Sequence, residues 1–256
     1  MNQSRRTFLK TSLITIAGLA VPLSAFEFLT PSAAANVVKT QNLRWVFLVD
    51  TTKCIGCGMC VKGCLTENEM PENANLSRTW IERYVVLRDG QTLIDSPLQG
   101  RNGYIRNDPL GKEIPKDKIA KGLFVPKLCN QCDLPVCVDV CPAGATYKTP
   151  DGVVHVDRKW CVGCAACISN CPYGARYFHP TLHVVEKCNF CYHRITKGMK
   201  TACVEACAFG ARKIGNFRDP KDPVTQTILN ERVAVLKPEY GSKPQVFYVG
   251  LSYEVK

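Results

Sequence analysis

Cysteine is the residue type whose number and spacing stand out in this sequence. The chain has 256 residues and 16 cysteines, which fall into four groups of four with none left over. The groups are Cys54, Cys57, Cys60 and Cys64; Cys129, Cys132, Cys137 and Cys141; Cys161, Cys164, Cys167 and Cys171; and Cys188, Cys191, Cys203 and Cys207. Thiols at such short spacing can form disulfides or bind metals, so the spacing must decide between them.

Three chemistries compete for these cysteines. Disulfides suit an even count, but three thiols separated by only two residues each crowd one loop too closely for paired bridges. Structural zinc sites combine two widely separated C-x2-C pairs. The first and third groups instead read C-x2-C-x2-C-x3-C, the spacing of a cubane site. We therefore predict four [4Fe-4S] clusters, and iron and acid-labile sulfide near zero would establish the alternative, a structural metal-binding or disulfide scaffold.

The fourth cysteine of each group lies one helical turn beyond the third, about 6 Å along the helix axis. In two-cluster ferredoxins this cysteine binds the neighbouring cluster. The sequence therefore predicts crossed ligation by four ligand sets, which we name A to D. They are set A, Cys54, Cys57, Cys60 and Cys207; set B, Cys188, Cys191, Cys203 and Cys64; set C, Cys129, Cys132, Cys137 and Cys171; and set D, Cys161, Cys164, Cys167 and Cys141.

Small and aromatic residues accompany the cysteines. Gly56, Gly58 and Gly163 are expected to let the backbone wrap tightly and direct N–H groups at sulfur, where such bonds help to set a reduction potential. Four aromatic residues flank cysteines and are expected to exclude water rather than to relay electrons. They are Trp160, Tyr173, Phe190 and Tyr192.

The sequence contains no recognisable catalytic constellation. Sixteen cysteines close every coordination position of four clusters, so no iron is left open to a substrate. Phosphate loops, dinucleotide fingerprints and nucleophile motifs are absent from the sequence. The histidines have no paired ligand spacing and are expected to be surface or hydrogen-bonded residues; they are His155, His179, His183 and His193. The sequence thus predicts a non-catalytic protein that transfers electrons.

The formal net charge of +11 would ordinarily indicate nucleic acid or an anionic membrane as a partner. Removal of residues 1–35, which carry three basic residues and one acidic residue, leaves +9. Four oxidised clusters with their thiolates would contribute about −8, which brings the loaded protein to about +1. The excess of Lys and Arg is therefore expected to balance buried cluster charge, with a solvated basic surface as the alternative.

The N-terminus has the features of an export signal. Arg5-Arg6 is followed by Phe8, Leu9 and Lys10, and an apolar run from Leu13 to Phe26 is too short for a membrane span, which needs about 20 residues. Ala33-Ala34-Ala35 supplies a small-residue cleavage site. Residues 1–35 resemble a twin-arginine signal peptide, with an uncleaved anchor or a short amphipathic helix as alternatives. The twin-arginine route exports folded proteins, so cofactors can be inserted before transit to the periplasm.

The strands and turns that must position the cysteines show an internal repeat. Val46–Cys64 aligns with Val153–Cys171 at an offset of 107 residues, and the second and fourth groups also match. Pro150-Asp151-Gly152 and Asp89-Gly90 each predict a hairpin turn. The predicted fold is α+β, with two ferredoxin-like dicluster modules related by duplication. The predicted segments are an outer module, 44–64 plus 181–215; a β-rich insertion, 65–124; an inner module, 125–180; and a C-terminal extension, 216–256. The insertion and the extension are expected either to dock a partner or to pack over the cluster edges.

Three stretches carry a resemblance to a known family over residues 44–220. They are CNQCDLPVCVDVCPAGATYKT, GVVHVDRKWCVGCAACISNCPYGARYFHP and KCNFCYHRITKGMKTACVEAC. The sequence resembles the iron-sulfur electron-transfer subunits of complex iron-sulfur molybdoenzymes. That family includes the beta subunits of dimethyl sulfoxide, polysulfide and tetrathionate reductases. It also includes exported four-cluster ferredoxins of nitrite-, hydrogenase- and sulfite-reductase-associated membrane complexes.

The resemblance implies paired ferredoxin-like modules, crossed ligation and a place in a hetero-oligomeric membrane complex. The expected partners are an integral membrane quinone-reactive subunit and a cytochrome c or molybdopterin catalytic subunit, at the outer face of the cytoplasmic membrane. A freely diffusing periplasmic shuttle is the alternative. One departure is Ala208, where the family usually has Pro after the last cysteine, and it leaves the local helix end open.

Overall fold

The structure is a computed structural model, and it describes residues 42–71, 76–104, 110 and 114–255. All sixteen cysteines lie within these residues. The predicted signal peptide, residues 1–35, lies outside them. Among the described helices, none is long and apolar enough to cross a lipid bilayer.

Short helices and short strands alternate along the described part of the chain. The helices are α1 (Met59–Glu67), α2 (Val136–Asp139), α3 (Ala166–Ser169), α4 (Tyr192–Ile195), α5 (Ala202–Glu205) and α6 (Pro223–Asn230). The strands are β1 (Trp45–Asp50), β2 (Thr79–Leu87), β3 (Thr92–Asp95), β4 (Ile119–Leu128), β5 (Thr146–Lys148), β6 (Val154–Val156), β7 (Arg176–Phe178), β8 (Val185–Lys187), β9 (Arg212–Asn216), β10 (Val233–Ala234) and β11 (Val246–Val249). This mixture confirms the predicted α+β class.

Helices α1, α2, α3 and α5 each contain the third cysteine of a group. In the second, third and fourth groups the chain leaves the helix through a turn at the glycine three residues after the last cysteine. The turn glycines have positive φ; they are Gly144 (62°), Gly174 (60°) and Gly210 (64°). The fourth group makes this turn without a proline, since the Gly210 N–H donates to the carbonyl of Cys207 at 3.2 Å. Ala208 therefore does not prolong the helix.

The strands connect the four cysteine groups in a closed order. The strand that follows each group pairs antiparallel with the strand that precedes the next: β2 with β4, β5 with β6, and β7 with β8. After the fourth group, β9 returns to pair antiparallel with β1, which precedes the first group. Each cysteine group therefore lies between two strands, and each of these strands pairs with a strand that flanks another cysteine group.

Two predicted hairpins are confirmed. The β5–β6 hairpin turns at 149–152, where the Gly152 N–H donates to the Thr149 carbonyl at 2.9 Å. In the insertion, β2 and β3 pair across the Asp89-Gly90 turn, and β4 lines the other edge of β2.

The C-terminal extension contributes to the sheet that carries β1. Strand β11 lies parallel to β1, and the four-stranded order is β10-β11-β1-β9. Buried side chains from this sheet pack on residues around the cysteines, and Phe47 stacks on Phe190 with ring centroids 5.5 Å apart. Helix α6 covers the other face of the sheet through Val224, beside Val46 and Leu48. Its N-cap is Asp222, which accepts from the Val224 N–H at 2.7 Å.

The cysteine-bearing helices pack in two pairs, α1 on α5 and α2 on α3. The first pair meets at Gly63, where an added Cβ would lie 3.0 Å from the Cβ of Ala206. Close approach of α1 and α5 places the fourth cysteine of each group beside the other group of its pair.

Candidate metal centres

The four cysteines of set A line one cavity. Three of them follow β1 on one loop, and Cys207 arrives from the end of α5. Ile55, Phe209 and Arg212 complete the wall. Burial raises the pKa of Cys60 to about 11 against the opposing charge of Arg212. A bare thiol at this position is protonated at neutral pH, and metal binding would release its proton.

The four cysteines of set B line a second cavity. Cys64 comes from the second turn of α1, four residues after Cys60, which faces the first cavity. Burial raises the pKa of Cys64, and the nearby Cys203 and Cys191 thiols raise it further. Neighbouring cysteines of one sequence group therefore face two different cavities, as the predicted sets require.

The cysteines of set C lie within electrostatic reach of one another. Burial raises the pKa of Cys132 to about 12, and a hydrogen bond to Ser242 opposes the shift. The remaining contributions come from Cys129, Cys137 and Cys171, the other three members of the set.

Set D lies nearer to the surface. Cys164 is exposed and Cys161 is half-buried. Two strands donate to this set: the Thr146 N–H of β5 lies 3.4 Å from Cys141 Sγ, and the Val185 N–H of β8 lies 3.4 Å from Cys161 Sγ. Helices α2 and α3, which precede Cys141 and Cys171, pack against each other.

No two of the sixteen cysteines are joined by a disulfide in the structure. Among the described residues, no three His, Cys, Asp or Glu side chains are placed to hold a single metal ion. The cysteines of a cubane bind separate iron atoms, so they need not converge on one point in this way.

The backbone around set A is tightly folded. Gly56 and Gly58 have φ of 69° and 79°, and a Cβ at Gly58 would lie 2.5 Å from the carbonyl oxygen of Gly100. Gly163 plays the same part near set D, with a Cβ only 2.7 Å from the His183 carbonyl oxygen. These glycines were predicted from their places between cysteines. In the fourth group Phe190 and Cys191 adopt positive φ without being glycine, which the sequence did not indicate.

Three buried cations face the cysteines without a carboxylate partner. Arg212 and Arg176 are 2% and 5% exposed, and neither guanidinium forms an ion pair within the described residues. Lys187 is 3% exposed and donates only to backbone carbonyls. Buried charge is costly unless it is compensated, and an anionic iron–sulfur group bound by the thiolates would compensate it. These residues therefore fit such a group.

Sequence reasoning predicted that Lys and Arg balance buried cluster charge, but it did not identify which ones. One available signal is position: Arg176 and Arg212 each lie five residues after the last cysteine of a group, in CPYGAR and CAFGAR.

The aromatic neighbours differ among themselves. Phe190 is buried in the core, as expected for a residue that excludes water. Trp160 follows the turn at Asp157 and is 64% exposed, so the prediction that it excludes water was wrong. Tyr173 hydrogen-bonds to Ser242 at 2.7 Å. Tyr192 packs edge-on against His155, with ring centroids 4.5 Å apart.

Two family models match the chain. Residues 120–217 match a 4Fe-4S dicluster domain, and residues 51–67 match a 4Fe-4S binding domain. Both matches cover cysteine groups described above.

Curated relatives match almost the whole length. The chain is 37% identical to the B subunit of tetrathionate reductase from Salmonella typhimurium over 98% of this chain and 90% of that protein. It is 38% identical to the corresponding tetrathionate reductase protein of Archaeoglobus fulgidus over 82% of this chain and 83% of that protein. Protein NrfC of Escherichia coli is 32% identical over 99% of this chain and 98% of that protein.

Proposed function

The chain belongs to the [4Fe-4S] electron-transfer subunits of the complex iron-sulfur molybdoenzyme family, and we propose that it carries four clusters within a respiratory complex. Like the reductase subunits among its relatives, it is an electron-transfer subunit and not the catalytic one. Bound clusters supply reversible one-electron oxidation and reduction. The observation that carries the proposal is the lining of separate cavities by sets A and B, in the combinations expected for crossed ligation.

We propose that sets A to D are the ligands of the four clusters. Cys60 and Cys64 diverge from one helix into the two cavities, and this divergence supports crossed ligation for sets A and B. For set C, the support is that Cys129, Cys137 and Cys171 each contribute to the raised pKa of Cys132. For set D it is the packing of α2 on α3, which matches the packing of α1 on α5.

We propose that this matched packing reflects an internal duplication. Each pair of helices would belong to one dicluster module, the outer module formed by residues 44–64 and 181–215 and the inner module by residues 125–180. The closed order of antiparallel strand pairs supports the proposal, because every cysteine group is preceded by one strand and followed by another.

The four sets form a series. Arg212 faces both set A and set B, Cys129 of set C is an electrostatic neighbour of Cys188 of set B, and Arg176 faces both set C and set D. Sets A and D are therefore the ends of the series. Exposed apolar residues lie beside both ends: Ile55 and Phe209 near set A, and Trp160 and Val162 near set D.

We propose that these ends meet the two redox partners, a quinone-reactive membrane subunit and a cytochrome c or molybdopterin catalytic subunit. The insertion at 65–124 exposes Ile94 and Leu98, and we propose it as additional docking surface. We also propose export by the twin-arginine route to the outer face of the cytoplasmic membrane. The support for this part of the proposal is the sequence of residues 1–35.

The experiment that tests this function is anaerobic purification of the tagged chain from native membranes in mild detergent, followed by mass spectrometry. A multi-span membrane protein together with a cytochrome or molybdenum subunit is the expected result. Recovery of the chain alone from the soluble periplasmic fraction would show a mobile shuttle instead. As a matched control, Arg5→Lys with Arg6→Lys should retain the loaded protein in the cytoplasm, whereas Lys10→Arg should not.

A further inference from the structure

The Arg212 side chain is buried without a hydrogen-bond partner. It is the first residue of β9 and lies five residues after Cys207. Its Nε, Nη1 and Nη2 atoms all lack a hydrogen-bond partner among the described residues. The guanidinium borders the cavity of set A. An arginine with a purely structural role would be expected to donate its five N–H groups to carbonyls or carboxylates.

The charges that face Arg212 come from two ligand sets. Burial opposes the charge of the guanidinium, but the thiolates of Cys60, Cys203 and Cys54 raise the pKa of Arg212 above its ordinary value. Cys54 and Cys60 belong to set A, and Cys203 belongs to set B. One cation is thus shared by two neighbouring sites.

Arg176 repeats this arrangement in the other half of the series. It is the first residue of β7, five residues after Cys171. Its Nη1 contacts Thr146 Oγ1 at 3.4 Å, and its Nη2 has no partner within the described residues. Its electrostatic neighbours are Cys137 and Cys129 of set C and Cys167 of set D.

Lys187 occupies the remaining position in the series. Burial lowers the pKa of Lys187, and the thiolates of Cys129 in set C and Cys188 in set B oppose this shift. In the β7–β8 hairpin Lys187 pairs directly with Arg176, so two buried cations lie opposite each other. Like charges at such positions are unfavourable, and the nearby Glu186 carboxylate is bound instead to Arg78 and Arg158. Among the described residues no carboxylate compensates this pair, whereas anionic groups at the cysteine sites would do so.

We propose that Arg212, Lys187 and Arg176 are potential-setting residues, one shared by each pair of neighbouring sites, and that each raises the reduction potential of the two sites it faces. The inference rests on the proposed four-cluster function and deepens it. Reduction adds one negative charge to a site, so a fixed cation nearby favours the reduced form. Because the environment is buried, solvent screens this effect little. A shared cation acts on two sites at once and leaves the other two nearly unaffected.

The test is an EPR-monitored redox titration of the anaerobically purified, full-length loaded protein. At a fixed potential, Arg212→Gln should lower the reduced-to-oxidised ratio of two of the four clusters about tenfold. This change corresponds to a decrease of about 59 mV in the reduction potential of each one-electron couple. Arg176→Gln should produce a shift of the same sign in the other two. Arg212→Lys and Arg176→Lys should restore potentials close to those of the unchanged protein. Arg218→Gln, at an exposed position near β9, is the matched control and should shift none.

Three results would overturn the inference. The first is that Arg212→Gln and Arg176→Gln retain all four clusters with unchanged reduction potentials. The second is that the two variants shift the potentials of the same clusters. The third applies if a Gln variant loses clusters. A tenfold change in the reduced-to-oxidised ratio of the corresponding Lys variant, which keeps the positive charge, would then contradict an electrostatic role. Failure of the underlying function is a different result: the unchanged protein itself would then hold fewer than four redox-active clusters.

Discussion

Arg78 and Glu186 form a buried ion pair, with Arg78 Nη2 2.6 Å from Glu186 Oε2 and both side chains 7% exposed. Arg78 precedes β2 in the insertion, and Glu186 lies in β8, two residues before Cys188. Arg78 is also an electrostatic neighbour of Cys64 and Cys188, both in set B. The ion pair therefore links the insertion directly to the candidate metal centre of set B.

Glu186→Gln should destabilise the loaded protein strongly. The substitution leaves the Arg78 charge buried without its carboxylate, and breaking a buried pair in this way costs about 3–5 kcal/mol. The measurement is unfolding of the loaded protein under anaerobic conditions. Asp133→Asn is the control: this carboxylate also has two cationic partners, Arg44 and Lys148, but is 42% exposed, so a cost of about 1 kcal/mol or less is expected. Equal losses in the two variants would show that the Arg78–Glu186 pair has no special role.

Gly58→Ala should remove the cluster at set A. The position combines a φ of 79° with backbone atoms within 2.8 Å of an added Cβ, so the cysteine loop must move. Iron content and the EPR spectrum measure the result. Gly144→Ala is the control, because its φ of 62° imposes strain of about 1–2 kcal/mol but nothing lies within 4 Å of the added Cβ. Retention of all iron by Gly58→Ala would mean that the loop adjusts and that this contact does not define the site.

Crossed ligation makes a prediction about Cys60 and Cys64, which share helix α1. Cys64→Ser should alter the same EPR signal as Cys188→Ser, and Cys60→Ser should alter the signal changed by Cys54→Ser. Uncrossed ligation predicts that Cys60→Ser and Cys64→Ser affect one common signal. The comparison of these four spectra distinguishes the two arrangements without prior assignment of the signals.

His155 should make stability fall in mild acid. Burial, followed by the charge of Lys187, lowers the pKa of this imidazole to about 4, whereas the unfolded chain has a value of about 6.5. Below about pH 6.5 the unfolded chain binds a proton that the folded protein does not, so stability is lost as pH falls towards 4 and changes little above about pH 7. Between about pH 7.5 and 5.5 the loss should be about 1 kcal/mol.

The matched variant is His155→Phe, which retains a ring between Tyr147 and Tyr192. Its melting temperature should decrease less than that of the unchanged protein between about pH 7.5 and 5.5. Parallel curves for the two proteins would contradict the assignment of this pH dependence to His155.

Local chemistry explains which parts of the fold were predictable. The β5–β6 hairpin follows from Pro150-Asp151-Gly152, and the β2–β3 hairpin follows from Asp89-Gly90, because turn residues act within a few positions. The pairing of β11 with β1 joins Val246 to Phe47 across the chain. Short continuous apolar runs are consistent with strands in both places but do not indicate their partners.

The candidate sites divide in the same way. Cysteine spacing and the precedent of crossed ligation predict the sets, since thiol chemistry depends on residue type and local separation. The buried positions of Arg176, Lys187 and Arg212 depend on how β7, β8 and β9 pack against the cysteine loops. In the sequence, a spacing of five residues from the last cysteine of a group marks Arg176 and Arg212, but it does not show that these side chains are buried.

Four [4Fe-4S] clusters that exchange single electrons would give this chain a defined iron, sulfide and spin content. These quantities can be measured by iron and acid-labile sulfide analysis of the anaerobically purified protein, combined with EPR spin quantitation after full reduction. We expect about sixteen iron atoms, about sixteen sulfides and about four unpaired spins per chain. Zinc or disulfides with negligible sulfide, or only about eight iron atoms, would contradict the four-cluster assignment.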